Sequence, residues 1–457
     1  MRKCILIFFF ALLFTSSVFA AENESVKIAV IDTGISTVSI NPKHITEGYN
    51  YILQGEDTED KLGHGTAIAG ILVGSQVAGV EGICPEATLV PLVYYSVDDN
   101  EKTVKGDTEM VAQAVYDAVD VYNCQVINIS SISNTDTASL REAVSYAESR
   151  GVLVVSCARN GSYEDSSTSY YPAAYDTVLC VGSVNLDGSV SSFSQRNDTV
   201  DLLAPGEGFR VVTIRGTKIR ADGTSYAAAF ASGAAAKLLN EYPNLTPAEI
   251  RRILCGSATD ICSAGYDTDS GWGVLNLDTA RHWAEQGIQF RDVPEGQWYF
   301  DTVRKSTEVG LFGGVSQTQF LPNTPMTRSM LWMVLFRLDD NTVGANQAFW
   351  YTDAQLWTVK YALSDGTDPD GLITREQMTA SLYRYAGYKG YNVSARTDLS
   401  RFTDASTVSN YAYDAMAWSN ADGLVSGTSV STLTPKGSAT RAQVATILVR
   451  FYDNIME

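Results

Sequence analysis

The chain has 457 residues, 45% of them hydrophobic and 19% charged, and a formal net charge of −19. That length accommodates two or three cores, and the composition is that of a folded protein rather than a disordered one. The acidic balance argues against a nucleic-acid partner, because phosphate binding needs basic surface. The acid is uneven: residues 290–457 hold 14 Lys/Arg and 17 Asp/Glu, whereas the 289 residues before them hold 19 and 35.

The first residues, MRKCILIFFFALLFTSSVFA, have a basic start, an apolar run from Cys4 to Phe14 and a small-residue close. Residues 1–20 are predicted to be a secretory signal cut near Ala20, too short for a membrane anchor. No later apolar run is long enough to cross a bilayer, so the mature chain is expected to be exported and not membrane-spanning. After Cys4 come Cys84, Cys124, Cys157, Cys180, Cys255 and Cys262. These permit up to three disulfides, with Cys255 and Cys262 favoured by proximity and free buried thiols open for the other four. No Cys/His spacing suggests zinc.

From Val26 to about Arg281, apolar runs alternate with helical patterns. VKIAVI (26–31), ATLVPLV (87–93), QVINIS (125–130), GVLVVSC (151–157) and TVLCVGSV (177–184) read as strands buried on both faces. In TEMVAQAVYDAVDVY (108–122), Val111, Ala114, Val115, Ala118 and Val119 share one helical face, and 138–148 and 226–240 read similarly. The alternation predicts a doubly wound α/β domain with a parallel sheet. Its functional residues should gather past the carboxyl ends of the strands.

Three motifs fall in such places. Asp32 follows the first strand in IAVIDTG, where an acid is out of place as core filler. His64 stands between glycines in GHGTAIAGILVG, at the head of an apolar helix. The other histidines, His44 and His282, lie in a polar loop and beyond the sheet region. Ser225, in GTSYAAAFASGAAAKLL, opens a helix, a common place for serine. Beside an acid and an imidazole it also reads as a nucleophile. A serine hydroxyl needs an imidazole to take its proton, and the imidazole needs a carboxylate to fix its tautomer. A helix N-terminus adds N–H groups and a positive dipole end facing a developing oxyanion.

VIDTGI, GHGTAIAG and GTSYAA resemble the three signature blocks of the subtilisin-like serine proteases, in that family's Asp, His, Ser order. The similarity covers most of residues 26–280, including VINIS, APG (204–206) and GWGVLN (271–276). The resemblance implies a secreted serine endopeptidase acting on a protein or peptide substrate. In it Ser225 is nucleophile, His64 general base and acid, and Asp32 the orienting carboxylate. It also implies Asn160 as a side-chain oxyanion donor, with Arg159 where the family usually has glycine. Ser130, Ser131 and Ile132 map to a substrate-binding strand, and Ala228-Ala229-Phe230 replace a usual proline and histidine. GSQVAGVEG (74–82) resembles a calcium loop of some relatives but carries Gln76 where a stronger ligand is common; calcium stays open, and no cofactor or metal ligand is assigned. Residues 21–25 alone separate the expected cleavage site from VKIAVI, so the propeptide of many secreted relatives is expected to be absent. The rival readings are a catalytically silent wall-bound scaffold and a secreted esterase. The esterase is disfavoured because GTSYA is not a G-x-S-x-G elbow.

The last third repeats. Gly310 to Thr327 spans the same interval as Gly423 to Thr440, with Pro322 and Pro435 in register. A shorter copy between them contains Trp357 and ITREQ. Helix–loop–helix units are predicted at 290–338, 349–387 and 402–452, after a catalytic domain at 26–285. They resemble S-layer homology modules, which hold exported proteins to bacterial cell-wall polysaccharide. Thr327-Arg328, Thr374-Arg375 and Thr440-Arg441 carry the resemblance. It implies an all-α anchor with Arg328, Arg375 and Arg441 facing an anionic sugar polymer, which guanidinium pairs well.

Overall fold

The computed structural model describes residues 25–161, 167–339, 341 and 348–456, so the expected signal segment lies outside the described residues. Strands β1 (Lys27–Asp32), β2 (Tyr49–Asn50), β5 (Thr88–Val93), β8 (Val126–Ile129), β9 (Leu153–Cys157), β10 (Val178–Val184) and β11 (Leu202–Pro205) form one sheet. Every pairing is parallel, in the order β11-β10-β9-β8-β1-β5-β2. Three antiparallel ribbons lie off it: β3–β4 (Gly74–Ser75, Val80–Glu81), β6–β7 (Tyr95–Val97, Thr103–Lys105) and β12–β13 (Phe209–Val212, Lys218–Ala221). The chain leaves β1 toward β5 on one side and returns to β8 on the other. The crevice past β1 is therefore the switch point where such sheets place their ligands.

Alternation along β1 sorts its side chains between two cores. Ile28 and Val30 join the face covered by α1 (His64–Val73) and α4 (Thr224–Glu241). Ala29 and Ile31 face α2 (Thr108–Asp120) and α3 (Ala138–Ser149). The alanine run of α4 lets that helix lie close on the middle of the sheet. Ser232 in it donates to buried Asn128 Oδ1 of β8 at 3.0 Å. Helix α1 is buried from its second residue onward. Its first turn sits so close to the end of β1 that a Cβ on Gly65 would lie 2.2 Å from the Gly34 carbonyl oxygen. The doubly wound sheet expected from the apolar runs is present. The short strands β2 and β11 carried no comparable signal.

Helices α5 (Pro247–Ser257) and α6 (Leu277–Gln286) lead to the C-terminal third. Arg291 joins the two parts through Nε to Gly256 O (2.6 Å) and through Nη2 to the carbonyls of Cys255, Ala258 and Trp272. Three helix pairs follow: α7 (Phe300–Glu308) with α8 (Arg328–Leu338), α9 (Thr352–Lys360) with α10 (Arg375–Lys389), and α11 (Tyr413–Ala421) with α12 (Arg441–Phe451). They close into a ring. Met326 N–H donates to Ala439 O, Ala439 N–H to Ile373 O and Ile373 N–H to Met326 O, each at 2.9 Å.

The threonines of the Thr-Arg motifs cap α8, α10 and α12. The arginines were expected to face a polymer, but each reaches the loop of the next pair. Arg375 donates to Leu433 O and Ser426 O, and Arg441 to Phe320 O and Gly313 O. Arg328 donates to Thr367 O and pairs with Asp365. Arg375 and Arg441 are buried because these inward-turned carbonyls need donors. The six described cysteines are free. Cys255 is buried in α5 and Cys262 is exposed, so the pairing favoured by proximity is not formed.

Gly65→Ala is expected to cost about 3 kcal/mol of stability by overpacking backbone against backbone, with every polar side chain of the crevice retained. A denaturant midpoint equal to that of the parent chain would contradict the close approach.

Candidate active site

Asp32 is the last residue of β1 and is buried. One carboxylate oxygen accepts the Thr33 N–H at 2.8 Å, and the pair of oxygens lies 2.8 and 2.9 Å from His64 Nδ1. With Nδ1 as donor, the Nε2 lone pair is left to act as a base. His64 opens α1 after Gly63, whose φ of 101° is a left-handed turn suited to glycine. Thr33 Oγ1 accepts the Gly65 N–H at 2.8 Å, locking the start of α1 to the end of β1.

Asp60 completes this corner, and the sequence reading missed it. It is buried, with Oδ1 accepting the N–H groups of Leu62 and Gly63 and Oδ2 accepting the N–H and hydroxyl of Thr66. Its signal was an acid four residues before the histidine, acting as a helix cap from outside the helix. Burial of His64 opposes its charge. The Asp32 carboxylate, by charge and hydrogen bond, and then Asp60 outweigh that and hold the imidazole above its ordinary pKa.

Ser225 is the second residue of α4, and the ring of the next residue, Tyr226, lies 5.6 Å from that of His64. Among the described residues no hydrogen bond joins Ser225 Oγ to His64. The Ser225 and Thr224 hydroxyls lie beside the thiol of Cys157, at the buried end of β9. Burial pushes that thiol up to about 11, the two hydroxyls pulling the other way, so it stays neutral. The sequence reading named Cys157 only among the six cysteines, as a thiol that is paired or free and buried; it is free and buried.

Asn160 is exposed, and its Oδ1 accepts both the N–H and the hydroxyl of Thr224, at 2.8 and 2.9 Å. Its Nδ2 therefore turns outward over Gly223. Among the described residues no protein acceptor takes that amide or the Ser225 main-chain N–H. Arg159 holds a φ of 115°, a region where glycine is unstrained, and its guanidinium lies 4.3 Å from the Tyr170 ring centroid.

Ser130 and Ile132 are half-buried and Ser131 is buried just past β8. Asn128 Nδ2 holds Ser130 Oγ at 3.1 Å, and Ser133 pairs with Tyr171 through two main-chain bonds. A cavity of about 570 Å³ opens beside this segment, between Val111, Ser131, Leu140 and Tyr171. The loop read as a possible calcium site is closed as the β3–β4 ribbon, with Gly74 opposite Glu81 and Ser75 opposite Val80. Around it stand Lys43, His44, Gln76 and Glu81, and the described residues contain no group of three metal-ligating side chains.

Comparisons with known proteins identify the family. Residues 23–273 match the model of the subtilase family, and residues 289–329 and 401–445 match the S-layer homology domain. The chain is 30% identical over 261 residues to subtilisin DY of Bacillus licheniformis, covering 57% of this chain and 92% of that protein. It is 33% identical over 261 residues to subtilisin E of Bacillus subtilis, covering 56% and 66% respectively. The crystal structure of MycP1 from Mycobacterium smegmatis superposes with a TM-score of 0.50 at 28% identity, covering 56% of this chain and 79% of that one. The chain belongs to the subtilase family of serine endopeptidases, and its C-terminal third carries the S-layer homology domain.

Proposed function

We propose that Ser225, His64 and Asp32 cut peptide bonds through an acyl-enzyme while the helical repeats hold the protein on the bacterial cell wall. The observation that carries the first half is the buried carboxylate bonded to His64 Nδ1 at the switch point, next to a serine at a helix N-terminus. As the substrate carbonyl arrives, Ser225 Oγ attacks its carbon. His64 Nε2 takes the hydroxyl proton, and the imidazolium formed is stabilised by Asp32. The carbonyl oxygen, now negative, receives hydrogen bonds from Asn160 Nδ2 and the Ser225 N–H. The tetrahedral intermediate collapses, His64 returns the proton to the leaving amine, and a water repeats the sequence to release the acid. The substrate chain lies along Ser130–Ile132, with a side chain in the adjoining cavity.

The second half rests on a groove of about 390 Å³ among the helix pairs, lined by Trp298, Arg375, Gln443, Thr446, Ile447 and Arg450. Trp298 is 62% exposed, an open aromatic face for a sugar ring. The two guanidiniums supply charge for an anionic substituent. Arg375 thus has two tasks, clamping a neighbouring loop and lining this groove. Among the described residues no helix is long and apolar enough to cross a membrane. Export and wall attachment are part of the proposal.

Ser225→Ala should abolish peptide hydrolysis with the fold retained; near-parental turnover in clean protein would remove the nucleophile. Asn160→Ala should lower kcat with little change in KM, by about 10²–10³, a loss known from subtilisin itself rather than measured on this chain. A change confined to KM would make Asn160 a binding residue.

Hydrolysis needs neutral His64, so kcat/KM should rise with pH through an acid limb lying above the free-imidazole range. Asp60→Asn removes a charge that raises this pKa and should move the limb to lower pH; an unmoved limb would contradict the electrostatic role of Asp60.

The full chain carrying Ser225→Ala should sediment with purified Gram-positive walls. Retention should fall with added salt, which screens exposed charge over about 8 Å at physiological strength. It should fall further with Trp298→Ala and Arg450→Gln together. Unchanged retention in that variant would remove the groove from the anchor.

A further inference from the structure

The ring has three equivalent corners, and they are not chemically equal. An aromatic residue precedes the first helix of each pair by two positions: Trp298, Trp350 and Tyr411, exposed by 62%, 53% and 53%. Each second helix carries an arginine whose Nη1 bonds a leucine carbonyl of its own pair: Arg337 to Leu311, Arg384 to Leu363 and Arg450 to Leu424, at 3.3, 3.4 and 3.3 Å. Each Thr-Arg arginine reaches the residue two beyond that leucine. Trp298, Arg375 and Arg450 line one groove; by the register of the three pairs, the corresponding sets are Trp350 with Arg441 and Arg337, and Tyr411 with Arg328 and Arg384. Charge interactions link Arg441 to Arg337, and Tyr411 to both Arg328 and Arg384.

In the first two corners the residue met by the Thr-Arg arginine is Ser426 or Gly313, which offers a main-chain carbonyl. In the third it is Asp365, whose side-chain carboxylate pairs with Arg328. A second carboxylate enters the same corner. Glu376, buried at the start of α10, accepts from Tyr411 Oη at 3.0 Å and also holds Ser409 and Lys436. The residues at its place in α8 and α12 are Ser329 and Ala442, which carry no charge. Asp404 and Asp292 lie within electrostatic reach of Arg375 and Arg441. Their oxygens, however, are taken by the N–H groups of Leu433 and Thr434, and of Phe320 and Leu321.

We propose that the chain binds anionic wall polysaccharide through the two tryptophan corners only, and that the Tyr411 corner is closed by the chain's own Asp365 and Glu376. The inference rests on the anchoring role proposed above. A carboxylate already paired with Arg328 occupies the position an acidic sugar substituent would take. Tying Tyr411 Oη to Glu376 fixes the ring that the sugar would have to engage. Asp365 holds the place taken by Gly313 and Ser426 in the other corners, two residues beyond the leucine of its pair.

The test is titration calorimetry of the full chain carrying Ser225→Ala with short fragments of polysaccharide released from Gram-positive walls by hydrofluoric acid. Two fragments per chain are expected. Trp298→Ala or Trp350→Ala should each reduce this to one, and Tyr411→Ala, at an exposed residue, should leave two. Asp365→Asn with Glu376→Gln should raise the number to three. Three fragments on the parent chain, or a site lost with Tyr411→Ala, would overturn the closure while leaving wall binding in place. Absence of any binding to the parent chain would overturn the anchoring role and this inference with it.

Discussion

The contact between the Asp32 carboxylate and His64 Nδ1 is the interaction around which the first domain is arranged. A carboxylate cannot be buried at the end of a central strand without partners, because leaving it unpaired costs several kcal/mol. Thr33 N–H and the imidazole are those partners, and both exist only if α1 begins directly over the end of β1. The Gly34–Gly65 approach, the left-handed Gly63 and the external cap from Asp60 all follow from that placement. The geometry that makes Asp32 tolerable in the fold is also the geometry that gives His64 a basic Nε2.

Helix α4 enters the same crevice from the other side, and its alanine run sets how close it can lie. A larger side chain facing β8, β9 or β10 would lift the helix and carry Ser225 away from His64. Asn160 then fixes the helix start through Thr224, which leaves its amide N–H groups over Gly223. One asparagine therefore caps a helix and keeps its own donors available, as the proposed mechanism needs.

Much of this was legible in the chain. The five long apolar runs became central strands because each is buried on both faces. Of the three motifs, only the Asp32 one ends a strand of the sheet; His64 and Ser225 open α1 and α4, reached through a loop and through the β12–β13 ribbon. Asp60 was not read, since its role is to accept N–H groups across a turn and an acid in a polar loop looks ordinary. Cys157 was legible only as a thiol, since its nearness to Ser225 joins positions more than sixty residues apart. The arginines of the repeats were read as facing outward because recurrence in register resembles a binding row. Their partners are main-chain carbonyls of a neighbouring pair, joined for Arg328 by the Asp365 carboxylate, a long-range relation that spacing within one unit does not encode. The two halves differ in this respect. In the sheet domain function follows local turns, whereas in the ring it depends on which pair meets which.

The central claim is that Ser225 is the residue made nucleophilic by this corner. Reaction of the native full chain with a fluorophosphonate, followed by peptide mass mapping, tests it most directly. The account predicts a single phosphonyl adduct on Ser225 that forms faster as pH rises through the His64 titration. An unmodified chain, or an adduct on another serine while Ser225 stays free, would contradict it.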